Sequence, residues 1–362
     1  MKGYRDMTCD IRFLVSGYGN PFETSISLIR ADLSAGSFSV EQKFTGLHAP
    51  SYLSVHKTDQ GTFLYTFEKS GREGKVLAFL LDEKGLQPLS EYQADFLGPC
   101  HISVSEKGDL VYAASYNNAT VAVFGIQENG GLRFLSMQKH EGSGPNPDRQ
   151  EQAHVHYAME RDGQLYVCDL GLDRVFIYDI HRPSGQLTLS DQSIALPAGS
   201  GPRHLIMDPV NRDRLYILSE MTASVFFCER SGGSWRVCQE ISTLAGAASD
   251  PALEIPAEAS SLSIGAAIRM SDDGRYLFAS CRLGYQSITA FAVAEDGRLT
   301  FLDRAPSGGI TPRDFGAAED HLIIANQDSD NVTFLRFDRA SGRLQSRPFT
   351  LTSVKPTCIA LL

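Results

Sequence analysis

A motif of four short strands recurs along these 362 residues, and few sequence features restrict a fold as tightly as a repeat. Each copy opens at a Pro or a small residue. A short apolar strand and a polar turn follow, then a strand built on Tyr or Phe. An alternating strand and a Gly-containing turn lead into the last strand. The copies read PSYLSVHKTDQGTFLYTFEKS, PCHISVSEKGDLVYAASYNN and AHVHYAMERDGQLYVCDLG, then PRHLIMDPVNRDRLYILSE, GAAIRMSDDGRYLFASCR and PRDFGAAEDHLIIANQ. Their openings fall at Pro50, Pro99, Ala153, Pro202, Gly265, Pro312 and Pro356, spaced 44 to 63 residues apart. A four-stranded propeller blade takes about 40–50 residues.

The strands are short, alternate in polarity and are rich in Val, Ile, Tyr and Phe, with Gly, Asp and Asn between them. No segment carries the periodicity of a three-turn amphipathic helix. The fold predicted is therefore all-β: residues 1–362 as a single seven-bladed β-propeller domain. The seventh copy, Pro356 to Leu362, supplies one strand only, and the first, from Ile11 onward, lacks its opening strand. Pairing the C-terminal strand with the N-terminal strands completes the last blade and removes two free sheet edges. Residues 140–152 and 243–262 interrupt the repeat and are expected to be long loops, which in compact folds usually serve function.

In a propeller blade the start of the innermost strand and the end of the second lie at the same face, around the central channel. Aligned copies place His101, His154, Arg203 and Arg313 at the first position. Glu68, Tyr116, Asp169, Glu220, Arg282 and Gln327 fall at the second. Ionisable residues converging on one channel mouth are costly to desolvate unless paired or used. Asp169, within CDLGLD, is the residue type that ties down a turn through backbone hydrogen bonds. His101, His156 and His204 suit either satisfied rim histidines or ligand contacts.

Composition narrows the partners. Lys plus Arg number 33 against 43 Asp plus Glu, a net charge of −10, which argues against nucleic acid or an anionic membrane as partner. The first residues contain no apolar signal-like run, and no stretch approaches the roughly 18 apolar residues of a membrane span. Seven scattered cysteines without a CxxC pair read as reduced thiols, hence a cytoplasmic protein without a disulfide framework or zinc site. Neither GxSxG nor HExxH occurs. The rim columns hold Arg and His rather than clustered carboxylates, so no metal and no cofactor are expected. The two GSGP segments precede no helix and read as turns.

The segments KHEGSGP (139–145) with Arg149 and Gln150, AHVH (153–156), DLGLD (169–173) and GPRH (201–204) resemble the lactonase family of seven-bladed propellers. SEM (219–221), SCR (280–282), TPRDF (311–315) and NQDSD (326–330) extend the resemblance over nearly the whole chain. It covers the propeller-type 6-phosphogluconolactonases and, more distantly, carboxymuconate cyclase. The resemblance implies a rim site of one His, one Glu and two Arg, which map onto His154, Glu220, Arg203 and Arg282. Arg149, His101, His156, Arg313 and Gln327 would contact substrate. It further implies hydrolysis of a small anionic sugar lactone, foremost 6-phospho-D-glucono-1,5-lactone, with His154 or Glu220 as base. A carboxymuconate-type cycloisomerase and a non-enzymatic interaction propeller are the alternatives. The polar residues Tyr116, Asn117, Asn326 and Gln327 favour the sugar, and a single Trp without Gly-His/Trp-Asp repeats disfavours a docking platform. The chain is expected to be a monomer or homodimer.

Overall fold

The computed structural model describes residues 10–70, 73–94, 98–244 and 262–362. Strands β1 (Asp10–Gly17), β2 (Ile26–Asp32) and β3 (Ser37–Phe44) begin an antiparallel sheet, blade 1. Blade 2 is β4 (Leu53–Thr58), β5 (Gly61–Ser70), β6 (Glu73–Asp82) and β7 (Gly85–Ala94). Blade 3 is β8 (Pro99–Val104), β9 (Leu110–Ser115), β10 (Thr120–Ile126) and β11 (Leu132–Lys139). Blade 4 comprises β12 (Val155–Arg161), β13 (Gln164–Asp169), β14 (Arg174–His181) and β15 (Gln186–Leu189), with a short β16 (Ile194–Ala195) added to β14. In blade 5 these are β17 (Pro202–Met207), β18 (Arg214–Ser219), β19 (Ser224–Ser231) and β20 (Ser234–Ser242). Blade 6 follows with β21 (Ser263–Met270), β22 (Tyr276–Leu283), β23 (Ser287–Val293) and β24 (Leu299–Pro306). Blade 7 is β25 (Pro312–Ala318), β26 (His321–Asn326), β27 (Asn331–Phe337) and β28 (Leu344–Thr352).

The seven sheets form the predicted seven-bladed propeller. The last strand, β29 (Pro356–Leu361), pairs antiparallel with β1, setting Phe13 opposite Leu361 and Val15 opposite Ile359. It is also tied sideways on both flanks. Thr357 Oγ1 donates to Ser51 O at 2.8 Å beside blade 2, and Ile359 N donates to Asp314 Oδ2 at 3.1 Å in blade 7.

Seven hydrophobic clusters hold the ring, one between each pair of neighbouring blades. Strand alternation explains them. In β13, Leu165 and Val167 pack toward blade 3, whereas Tyr166 and Cys168 pack toward blade 5. Both faces are therefore buried, and second strands such as LVYAAS read as unbroken apolar runs.

One irregularity recurs where the site lies. In six blades the innermost strand slips register at its first pairs. Pro99 pairs with Ser115 and His101 with Ala114, which leaves Cys100 unpaired. The same slip frees His156 in β12, Arg203 in β17, Arg313 in β25 and Thr357 in β29, while Ala266 and Ala267 together face Ser280. A bulge re-aims the extra residue. Of the 243–262 insertion, residues 245–261 lie outside the described residues.

Candidate active site at the channel mouth

Glu220 follows the end of β18 and is clamped by backbone bonds on both sides. Its N–H donates to Gly201 O at 2.8 Å, and its carbonyl accepts from Gly265 N at 2.9 Å, linking blades 5 and 6. The carboxylate is 2% exposed and meets three guanidinium groups. Oε2 accepts from Arg203 Nε at 3.0 Å and Arg282 Nη2 at 2.9 Å, and Oε1 accepts from Arg149 Nη2. Burial alone would raise its pKa, but Arg282, Arg203 and Arg149 outweigh burial and hold it far below the ordinary carboxylate range. Arg203 lies behind the carboxylate, donating also to Ala266 O and to His204 Nε2 at 3.0 Å. Burial, then the charge of Arg282, pushes its guanidinium down to about 10, still charged at neutral pH.

In front of Glu220 opens a cavity of about 420 Å³. Arg149, Arg282, His156, Tyr116, Tyr18, Lys69, Arg313 and Cys100 line it together with Glu220. Four cationic side chains thus face one carboxylate, in a chain of net charge −10. Such focusing draws in small anions. Two larger grooves, of about 510 and 670 Å³, run between blades 1 and 2. Their charges are of mixed sign and lie away from the channel mouth.

Glu220, Arg282, Arg149, Arg313 and His156 of the predicted set meet at the cavity, with Arg203 directly behind. His154 does not line it, contrary to the expectation that it would close the pocket with Glu220, Arg203 and Arg282. Its ring stacks on Tyr116 (4.1 Å between centroids, 11° between planes), Nδ1 meets Tyr116 O at 3.0 Å, and Nε2 meets Glu151 Oε1 at 3.2 Å. Both nitrogens are engaged. His156, two residues on, takes the position expected of it, because the β12 bulge turns it to the channel. Its Nδ1 is buried without a hydrogen-bond partner among the described residues. Burial, then the charge of Arg203, keeps its imidazole neutral well below the usual histidine range.

Other expectations also need correction. His101 lies deeper in the channel, its ring 3.9 Å from Tyr157 and 4.6 Å from Tyr52, outside the cavity lining. Gln327 reaches the site only through Arg313, accepting from Nη1 at 2.9 Å. Asn326 is buried and donates to Thr333. Glu68 turns outward to cap His48 N at 2.8 Å, and the next residue, Lys69, takes the channel. Asp169 plays the turn role: Oδ1 accepts from His154 N (2.8 Å) and Leu172 N (3.2 Å), and Oδ2 meets His140 Nδ1 at 2.6 Å. The rim columns did not indicate Tyr18, Lys69 or Cys100. Among the described residues no cluster of His, Cys, Asp or Glu is arranged to hold a metal ion, and the six described cysteines are free thiols.

The pattern of the family described as "Lactonase, 7-bladed beta-propeller" matches residues 12–361. The chain belongs to the lactonase family. A 6-phosphogluconolactonase of Bacillus subtilis is 32% identical over 323 residues, covering 86% of this chain and 87% of the relative. The crystal structure of a protein from Lactobacillus plantarum superposes with a TM-score of 0.87 at 28% identity, covering 98% and 99% of the two chains. That of a periplasmic gluconolactonase from Pseudomonas aeruginosa superposes at 0.85 and 26% identity, with the same coverage. This lactonase-family chain has no helix among its described residues that is long and apolar enough to cross a membrane.

Proposed function

We propose that this lactonase-family protein hydrolyses a sugar lactone at the channel mouth, with 6-phospho-D-glucono-1,5-lactone as the cytoplasmic substrate and 6-phosphogluconate as the product. The observation that carries the reading is a buried carboxylate fixed by three arginines in a cationic cavity. The relatives named for 6-phosphogluconolactone and gluconolactone hydrolysis support the reaction type.

Lactone opening needs an oriented water, charge stabilisation at the carbonyl oxygen and a proton for the departing ring oxygen. Arg282 and Arg149 present guanidinium donors at the cavity surface, suited to the oxyanion. Glu220 accepts a hydrogen bond from the attacking water. It is a poor proton acceptor itself, because the arginines stabilise its ionised form. His156 lines the cavity and is neutral; its Nδ1 is buried, so Nε2 takes the water's proton as the new C–O bond forms. When the tetrahedral intermediate collapses, the bond from C1 to the ring oxygen breaks and His156 returns the proton to that oxygen. His154, with both nitrogens occupied, positions Tyr116.

The test is production of 6-phosphogluconate from fresh lactone, corrected for spontaneous opening. Turnover well above the spontaneous rate, lowered about 10²–10⁴-fold in His156→Asn, supports the reading. No acceleration by the wild-type protein sinks it, and isomerisation of a carboxymuconate instead would assign the site to a polycarboxylate.

A further inference from the structure

The cations of the cavity divide into two groups. Arg149, Arg203 and Arg282 are committed to Glu220. Lys69 and Arg313 have no carboxylate partner among the described residues. Arg313 donates only to the neutral Gln327 amide, and both cations lie against one ring. The Arg313 guanidinium carbon is 5.2 Å, and Lys69 Nζ 5.6 Å, from the centroid of Tyr18.

The two groups also come from different arcs of the ring. Tyr18 follows β1, Lys69 is the penultimate residue of β5 and Arg313 is the bulge residue of β25, three contiguous blades: 1, 2 and 7. Glu220, Arg282 and His156 come from blades 5, 6 and 4. The cavity therefore has a wall built for the carbonyl chemistry and a facing wall with two uncommitted positive charges. Two cations held side by side repel each other, and an anion between them relieves the repulsion.

We propose that Lys69, Arg313 and the Tyr18 hydroxyl form the subsite for the substrate's phosphate group, across the cavity from Glu220. This assignment rests on the lactonase reading above and gives the substrate a direction. The phosphomonoester dianion sits under blades 7, 1 and 2, and the lactone carbonyl turns to Arg282 and Arg149. Burial alone would raise the Tyr18 phenol, yet Arg313, Lys69 and a hydrogen bond with Ser51 bring it below the ordinary tyrosine value. A guanidinium, an ammonium and a phenol together offer charge and directed donors to a tetrahedral dianion.

The experiment compares kcat/KM for 6-phosphoglucono-1,5-lactone and for glucono-1,5-lactone in wild type, Lys69→Ala, Arg313→Gln, the double variant and Lys69→Arg. Calorimetric binding of inorganic phosphate is measured alongside, and thermal melting confirms folding. Loss of one charge-assisted contact costs about 1.5–3 kcal/mol. Each single variant should therefore lower the preference for the phosphorylated lactone about ten- to hundredfold and weaken phosphate binding similarly. Lys69→Arg should retain most of both. An unchanged preference in the double variant overturns the subsite and leaves lactone hydrolysis standing. If wild type hydrolyses neither lactone, the hydrolysis reading fails. The subsite then survives only if wild type binds phosphate and the double variant loses that binding at least tenfold.

Discussion

Replacing Glu220 removes more than an acceptor for water. It leaves Arg203, which is 2% exposed, with an unbalanced charge in the interior. Breaking a buried pair by removing one partner costs about 3–5 kcal/mol. Glu220→Gln keeps the shape and some acceptor capacity, so a loss of about 3 kcal/mol is expected in denaturant unfolding, together with a fall in turnover. Activity loss in this variant is therefore interpretable only beside its melting curve, and His156→Asn is the cleaner probe of proton transfer. The depressed pKa of His156 fixes the direction of the acid limb. Turnover requires the neutral ring, and the ring protonates only well below pH 6.5, so kcat/KM should hold through pH 6 and fall at lower pH. An acid limb centred at or above 6.5 would exclude His156 as the base. At the same scale, Arg203→Lys preserves charge but cannot supply the separate Nε and Nη1 donors that reach Glu220, His204 and Ala266. Its melting midpoint should drop as well.

Among the strands, the bulges decide what could be read in advance. The repeat, the seven blades and the strand that closes them were legible because alternating apolar residues, Gly turns and regular spacing act locally and recur. Which of two neighbouring residues faces the channel was not. A register slip after the opening residue moves one side chain out of the ladder, and nothing in the sequence of β8 or β12 marks the slip. Hence His101 sits deep in the channel while Cys100 lines the cavity, and His156 rather than His154 faces Glu220. Glu220 and Arg282 were readable because the ends of second strands fix them without reference to a bulge, whereas Arg313 is itself a bulge residue whose column happened to be aligned correctly. Tyr18 lay beyond reach because blade 1 lacks its own opening strand, so its column was never aligned. The turn after β13 is the opposite case, legible and structural: Asp169 accepts two backbone N–H groups and His140 while fully buried. Asp169→Ala should cost at least about 3 kcal/mol by leaving these donors unsatisfied, measured as a shift in urea midpoint at constant slope. A change under 1 kcal/mol would show that the turn holds itself.

Down the axis of the molecule, three buried histidines, His101, His156 and His204, are all held well below pH 6.5 by burial, with Arg203 adding to the effect at each and Arg269 at His101 and His204. Once unfolded, each titrates near 6.5. Between the folded and unfolded values the unfolded chain binds more protons, so their contribution is complete above pH 6.5 and declines as pH falls. Each contributes a slope of about 1.4 kcal/mol per pH unit. The melting midpoint should therefore fall clearly from pH 7 to pH 5, and His204→Asn should flatten the fall. Ring closure is the other property of the whole. A chain ending at Lys355 loses β29 and exposes β1 as an edge, and should aggregate or melt at lower temperature. The same closure bears on how the molecule reaches its native state. Thr357 and Ser16, joined at 3.4 Å, are 341 residues apart in sequence. Bringing such distant segments together has a large entropy of loop closure and gains no contact until the intervening blades are in place. Blades 2 to 7, each built from neighbours in sequence, can assemble early. The slow step of refolding should be the docking of β29 onto β1, and stabilising that one seam would speed folding and slow unfolding together only if it is partly formed in the transition state.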